Sequence, residues 1–144
     1  MKEQSPIEGY CLCKEVKVSI QQAPENFAVC HCESCRRWVG GAGMNFNAGQ
    51  NLKFSGEHLV GRYSSSEWAE RGFCKNCGTN LFFRLKKTDH YFLSIGLFGS
   101  DISPQFTLQE FIDEKPEYYS FADETRSFTK EEGHKMLREY LSRS

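Results

Sequence analysis

Seven cysteines fall between residues 11 and 77, in three spaced groups: Cys11-Leu-Cys13, Cys30-His-Cys32-Glu-Ser-Cys35 and Cys74-Lys-Asn-Cys77-Gly78. Spacings this short suit a metal ion, which takes several thiolates from neighbouring positions. They suit disulfides poorly, because adjacent groups compete for partners and an odd number cannot pair completely. Seven divides as four plus three. A closed zinc site uses four protein ligands, whereas a zinc that does chemistry commonly keeps three and leaves one position open.

Geometry suggests the division. In an extended segment, residues two apart point to the same side, so Cys11 and Cys13 can aim both sulfurs at one ion from a strand end. Cys74-x-x-Cys77-Gly78 reads as a knuckle, in which Gly78 lets the chain turn back while backbone N–H groups face the thiolates. Together the two pairs would make a structural Cys₄ zinc closing a loop of more than sixty residues. Such a site contributes on the order of 10–16 kcal/mol of apparent binding free energy.

Cys30, Cys32 and Cys35 then remain, with no cysteine left to complete the shell. Three readings stand: an open three-cysteine zinc, a second structural site closed by His31, His58 or an acidic residue, or no ion at all. His31 lies between two ligands that must point together, so strand geometry aims it away from them. Three thiolates on Zn²⁺ leave a net charge of about −1, which makes a weaker water activator than a tris-imidazole zinc. Such an ion suits a thiol substrate better. Arg36 and Arg37 could offset the negative charge and hold a carboxylate, against the plainer reading of a solvated turn. Trp38 is either a pocket wall or a core residue. The Gly40, Gly41 and Gly43 cluster lacks a following Gly-Lys-Ser/Thr and does not read as a phosphate loop.

The elements that must position these residues are mostly strands. Val16, Val18 and Ile20 alternate with Lys17 and Ser19, the period of a half-buried strand. Phe27–Cys30, Met44–Phe46, Asn51–Phe54, His58–Ser64, Leu81–Phe83, Tyr91–Ile95 and Phe106–Ile112 read as further strands, separated by turn residues. One segment reads clearly as a helix: Thr129-Lys-Glu-Glu132 has capping-box form, and Met136, Leu137, Tyr140 and Leu141 recur on one face. The expectation is one mainly antiparallel β domain over residues 1–144 with a C-terminal helix, large enough for a core without disulfides. Twelve Phe, six Tyr and two Trp predict an aromatic core.

A formal net charge of −1 supplies no field to recruit nucleic acid or an anionic membrane. The start, Met1-Lys-Glu-Gln-Ser-Pro-Ile, has no signal-peptide run, and nothing approaches the ~20 apolar residues of a spanning helix. The expectation is a reducing cytoplasm, where thiols persist as metal ligands.

The segments Gly9-Tyr-Cys11-Leu-Cys13, Cys30-His-Cys32-Glu-Ser-Cys35-Arg-Arg, Arg71-Gly-Phe-Cys74-Lys-Asn-Cys77-Gly78-Thr-Asn-Leu81 and Phe111-Ile-Asp-Glu-Lys-Pro116-Glu-Tyr-Tyr119 resemble the glutathione-dependent formaldehyde-activating enzyme family, which includes centromere protein V. The resemblance covers Gly9 to Tyr119, and the combined cysteine pattern is specific where each piece alone is weak. It implies a β-tent fold of small twisted antiparallel sheets. It also implies two zinc ions per chain, one structural on Cys11, Cys13, Cys74 and Cys77 and one functional on Cys30, Cys32 and Cys35. The activity it implies is condensation of glutathione with formaldehyde to S-hydroxymethylglutathione, formally a carbon–sulfur lyase reaction. Lys14 departs from the family, which commonly has Gly after the first cysteine pair. Competing functions are a zinc-stabilised binding module without catalysis and, disfavoured by charge, a nucleic-acid partner.

Overall fold

The computed structural model describes residues 5–143; the reading of the start at Met1–Gln4 lies outside them. Among the described residues the order is β1 (Ile7–Tyr10), β2 (Lys17–Ile20), β3 (Asn26–Cys30), α1 (Glu33–Val39), β4 (Gly43–Gly49), β5 (Leu52–Ser55), β6 (Val60–Ser64), β7 (Ala69–Cys74), β8 (Asn80–Leu85), β9 (His90–Ser94), β10 (Gln105–Glu110), β11 (Arg126–Phe128) and α2 (Lys130–Ser142). The fold is mainly β with two helices, one of them C-terminal. No helix among the described residues is long and apolar enough to cross a membrane.

Two sheets divide the strands. β1-β2-β5 form a small antiparallel sheet, and β11-β10-β3-β4-β9-β8-β7-β6 form a sheet of eight. The expectation of small antiparallel sheets needs correcting here. One sheet is large, and β10 runs parallel to both β3 and β11. The parallel pairing arises because β10 returns beside β3 only after β4 to β9 have been laid down, a long crossover that no local pattern announces.

Alternation places the core. Val16, Val18 and Ile20 are buried while Lys17 is exposed. They share one cluster with Phe46, Leu81, Phe82, Leu93 and Phe98. Aromatic pairs carry much of the packing: Phe82 and Tyr91 meet edge-on at 4.9 Å, Phe46 and Phe98 at 5.6 Å, geometries favoured by the ring quadrupole. Gly72 is required at its position in β7, since a Cβ there would lie 2.2 Å from the Phe82 ring.

Three strands and α1 stand where the sequence pattern is silent. β1, β7 and β11 lack a clear apolar alternation. Helix α1 is seven residues with none buried, so it has no apolar stripe to read. Its boundaries are chemical. The Cys32 sulfur accepts a hydrogen bond from the Cys35 N–H at its start, and Gly40, at φ 86°, ends it. By contrast α2 begins at the capping box its sequence predicts, Thr129 Oγ1 accepting from Glu132 N–H while the Glu132 carboxylate accepts from Thr129 N–H.

Candidate metal centres

The Cys11, Cys13, Cys74 and Cys77 sulfurs all lie within 4.8 Å of one another. Cys11 and Cys13 leave the end of β1, and Cys74 and Cys77 bracket the turn between β7 and β8, so the group clasps the small sheet to the large one. The first pair is not extended, as strand geometry suggested. Residues 11–14 form a turn closed by Lys14 N–H donating to Cys11 O at 2.9 Å, and Lys14 takes φ 67°. The turn curls Cys13 back until its sulfur is 3.5 Å from that of Cys11 and 3.8 Å from that of Cys74. A tetrahedral zinc with bonds of about 2.3 Å holds its sulfurs about 3.8 Å apart. The donor set therefore fits zinc in number, type and spacing.

Backbone N–H groups point at two of these sulfurs. Val16 N–H donates to Cys11 Sγ at 3.3 Å and Cys77 N–H to Cys74 Sγ at 3.5 Å. The Thr79 hydroxyl contacts Cys77 Sγ at 3.1 Å while accepting from Leu12 N–H at 3.0 Å. Thr79 and the backbone around it bring the Cys77 thiol down to about 5. Gly78, at φ 80°, donates its N–H to Cys74 O and turns the knuckle as its sequence predicts.

Cys30, Cys32 and Cys35 form the second group, also within 4.8 Å. Cys30 ends β3, Cys32 caps α1 and Cys35 lies one turn in. Without a cation the three cannot ionise together. Hydrogen bonds to Cys30 and Cys35 favour the thiolate at Cys32, bringing it to about 2, and the same contacts with burial drive Cys30 upward. A divalent cation among the sulfurs resolves that conflict, and the set fits one with a position to spare.

His31 does not join it. It is fully buried, with Nε2–H donating to Gln109 Oε1 at 2.8 Å and Nδ1 accepting from the Tyr119 hydroxyl at 2.6 Å. Gln109 in turn donates to Thr125 at 3.1 Å. Burial lowers the His31 pKa, keeping the ring neutral in this network. His58 lies exposed in a single turn at Glu57–Leu59, outside both groups.

A cavity of about 520 Å³ opens onto Cys30, Cys32 and Cys35 and onto none of the other four cysteines. Of the three residues assigned to substrate, Trp38 lines it, with its ring 5.9 Å from Phe73 and 6.2 Å from Tyr63. Arg36 and Arg37 do not. Arg36 Nε–H donates to His31 O at 2.9 Å, and Arg37 pairs on the surface with Glu33 at 2.9 Å, one helical turn away. The helix that presents Cys35 to the cavity carries both arginines off it.

The cation beside the thiols is Arg71. Buried in β7, it directs Nη1 and Nη2 at Cys35 Sγ, 3.6 and 3.7 Å away, with its guanidinium over the Phe83 ring. The signal that could have found it is a positive charge in β7 immediately before the close-packed Gly72. Glu110 also lines the cavity, at the β10 position paired with Cys30. Burial, reinforced by the Cys32 charge, pushes its carboxyl up to about 7.

Known proteins match most of the chain. Residues 6–114 match the family described as glutathione-dependent formaldehyde-activating enzyme. An uncharacterized lyase of Schizosaccharomyces pombe is 40% identical over 126 residues, 87% of this chain and 92% of that one. A Rhodobacter sphaeroides protein of known crystal structure shares the fold with a TM-score of 0.56 at 18% identity, covering 69% of this chain and 99% of its own.

Proposed function

Because the chain belongs to the glutathione-dependent formaldehyde-activating enzyme family, we propose that it is a zinc-dependent enzyme of carbon–sulfur lyase type. It would form or cleave the adduct of a thiol with a small aldehyde. The family name implies glutathione and formaldehyde as the pair. One observation carries the reading: the group of three cysteines faces a cavity and the group of four does not. Residues 1–144 would form one domain of β-tent type built round the zinc of Cys11, Cys13, Cys74 and Cys77.

Zinc held by Cys30, Cys32 and Cys35 would supply an open position that keeps a substrate thiol as its thiolate at neutral pH. In the forward direction a bond forms between the thiol sulfur and the aldehyde carbon, the carbonyl π pair moves to oxygen, and the thiol's proton ends there. Cleavage reverses each step. Arg71 offsets the charge gathered on the thiolates. Trp38 walls the cavity, and Glu110 stands in the same wall, where a carboxyl can take and return the proton.

The test is zinc-loaded protein with glutathione and formaldehyde, following exchange of the hydroxymethyl group by NMR. Acceleration that disappears in Cys32→Ser supports the reading. No acceleration with any thiol and aldehyde, at full zinc content, leaves a zinc-stabilised binding module instead.

A further inference from the structure

The cavity beside the three thiols is walled by rings. Trp38, Trp68, Phe83, Phe92, Phe111 and Phe128 all line it. Among the described residues eight large apolar side chains remain exposed, and four of them, Val39, Met44, Trp68 and Met136, are at this cavity. An apolar surface left uncovered in a concave site of this volume is the ordinary mark of a small-molecule pocket.

Its charges do not suit an anionic ligand. Arg71 faces the Cys35 sulfur, and Lys130 is 3.8 Å from Glu114, itself part of the wall. Glu33 is paired with Arg37, and Glu110 is the remaining carboxyl of the wall. Glutathione carries two carboxylates and one ammonium at neutral pH, and the wall offers its carboxylates no uncommitted arginine or lysine.

Helix α2 supplies part of the wall. The family match ends at residue 114, so Phe128, Met136 and Leu137 lie beyond it. The helix is fastened at both ends. Its first N–H donates to Asp113 Oδ1 at 2.9 Å, and near its last turn the Tyr140 hydroxyl meets Thr88 Oγ1 at 3.1 Å and His90 Nδ1 at 3.2 Å. At Gly133 it packs so closely that a Cβ would lie 2.9 Å from Phe128 and 3.1 Å from Phe111.

From the ring-lined wall and the helix that contributes to it, we propose that the substrate's unreacting body is apolar and of aromatic-ring size. α2 is the element that selects it. The proposal rests on the thiol chemistry above for the sulfur end, and on the wall alone for the rest.

Three probes separate the two parts by calorimetry on the zinc-loaded full chain: benzyl mercaptan, benzyl methyl sulfide and glutathione. Benzyl mercaptan is expected to bind at least about tenfold more tightly than glutathione, with the sulfide between them. Met136→Asp, at a half-exposed position, is expected to weaken both benzyl ligands about tenfold with zinc content and melting temperature unchanged. Glutathione binding as tightly as benzyl mercaptan, or benzyl ligands indifferent to Met136→Asp, overturns the proposal. If mercaptan and sulfide bind equally, and both more tightly than glutathione, the apolar pocket stands and the metal–thiol reading falls.

Discussion

Arg71 and Cys35 lie on different elements, 36 residues apart, yet both terminal nitrogens of the guanidinium point at the one sulfur from 3.6 and 3.7 Å. A buried arginine needs a negative partner, since an uncompensated buried charge is strongly destabilising. Three thiolates on a divalent ion would carry a net negative charge, which a nearby cation offsets. Each residue meets the other's requirement.

Arg71→Met keeps much of the stem over Phe83 and removes the charge. Loss of such an outer partner typically weakens metal binding about 10–100-fold. The variant should therefore release one zinc to a chromogenic chelator at concentrations that leave the other in place. Arg71→Lys should recover part of the loss, because lysine restores charge without the fork. A Met variant that holds both ions as tightly as the parent would sink this role.

The two cysteine groups should respond differently to a lost sulfur. Cys74→Ser takes a ligand from the clasp between the sheets, whose binding free energy rivals the ~5–15 kcal/mol stability of a whole domain. It should be insoluble or melt far below the parent. Cys32→Ser damages a group spanning only Cys30 to Cys35, whose loss opens no long loop. It should fold, hold about one zinc and bind thiols weakly. Circular dichroism, melting and a metal assay decide. Equal unfolding of the two variants would make the central group structural.

Glu70 carries a pH dependence independent of the metals. Its carboxylate accepts from Arg62 Nη1 at 2.5 Å and Arg84 Nε at 2.8 Å, while Arg84 also reaches Asp89 at 2.9 Å. Burial raises the Glu70 pKa, but the two arginines outweigh it and the net shift is downward. A carboxyl depressed on folding adds stability above its ordinary value of 4.5, and that stability is lost as pH falls through the depressed one. Glu70→Gln should cost about 1.5–3 kcal/mol at pH 7, and the gap to the parent should shrink below about pH 4.5. Urea unfolding at both pH values measures it. A gap that does not change with pH would show that Glu70 contributes by packing.

The cysteine grouping was legible because metal coordination is short-range in sequence: pairs two or three residues apart converge whatever the rest of the chain does. The strand with alternating Val and Ile was legible for a similar reason, as was the capped start of α2. Arg71 was not, because its partner is reached only after β7 is placed beside the α1 segment, and a local reading gave the charge to adjacent Arg36 and Arg37 instead. The cavity wall at α2 was hidden differently. Met136 and Leu137 gave an amphipathic stripe, but a stripe does not say whether it covers a core or lines a pocket.

Lys14 connects the one local departure from the family pattern to a backbone angle. The resemblance expects Gly after the first cysteine pair, and the structure gives the reason: this residue closes the turn at φ 67°, in the left-handed region. An L side chain there costs about 1–2 kcal/mol. Two effects offset that for lysine. Glycine would lose about 0.5–1 kcal/mol more backbone entropy on folding, and Lys14 Nζ lies 5.4 Å from the Tyr10 ring centroid, a contact worth about 0.5–1 kcal/mol at an exposed site. Lys14→Gly should thus change stability by less than about 1 kcal/mol, by the same terms. Lys14→Val should be clearly worse, because a β-branched residue is a true outlier at this angle and lacks the contact with Tyr10. Since the turn sets the separation of Cys11 and Cys13, the valine variant should also release zinc from the four-cysteine group more readily. Denaturant midpoints and chelator titrations of the three proteins test the order, and a valine variant as stable as the glycine one would show that the turn relaxes without consequence.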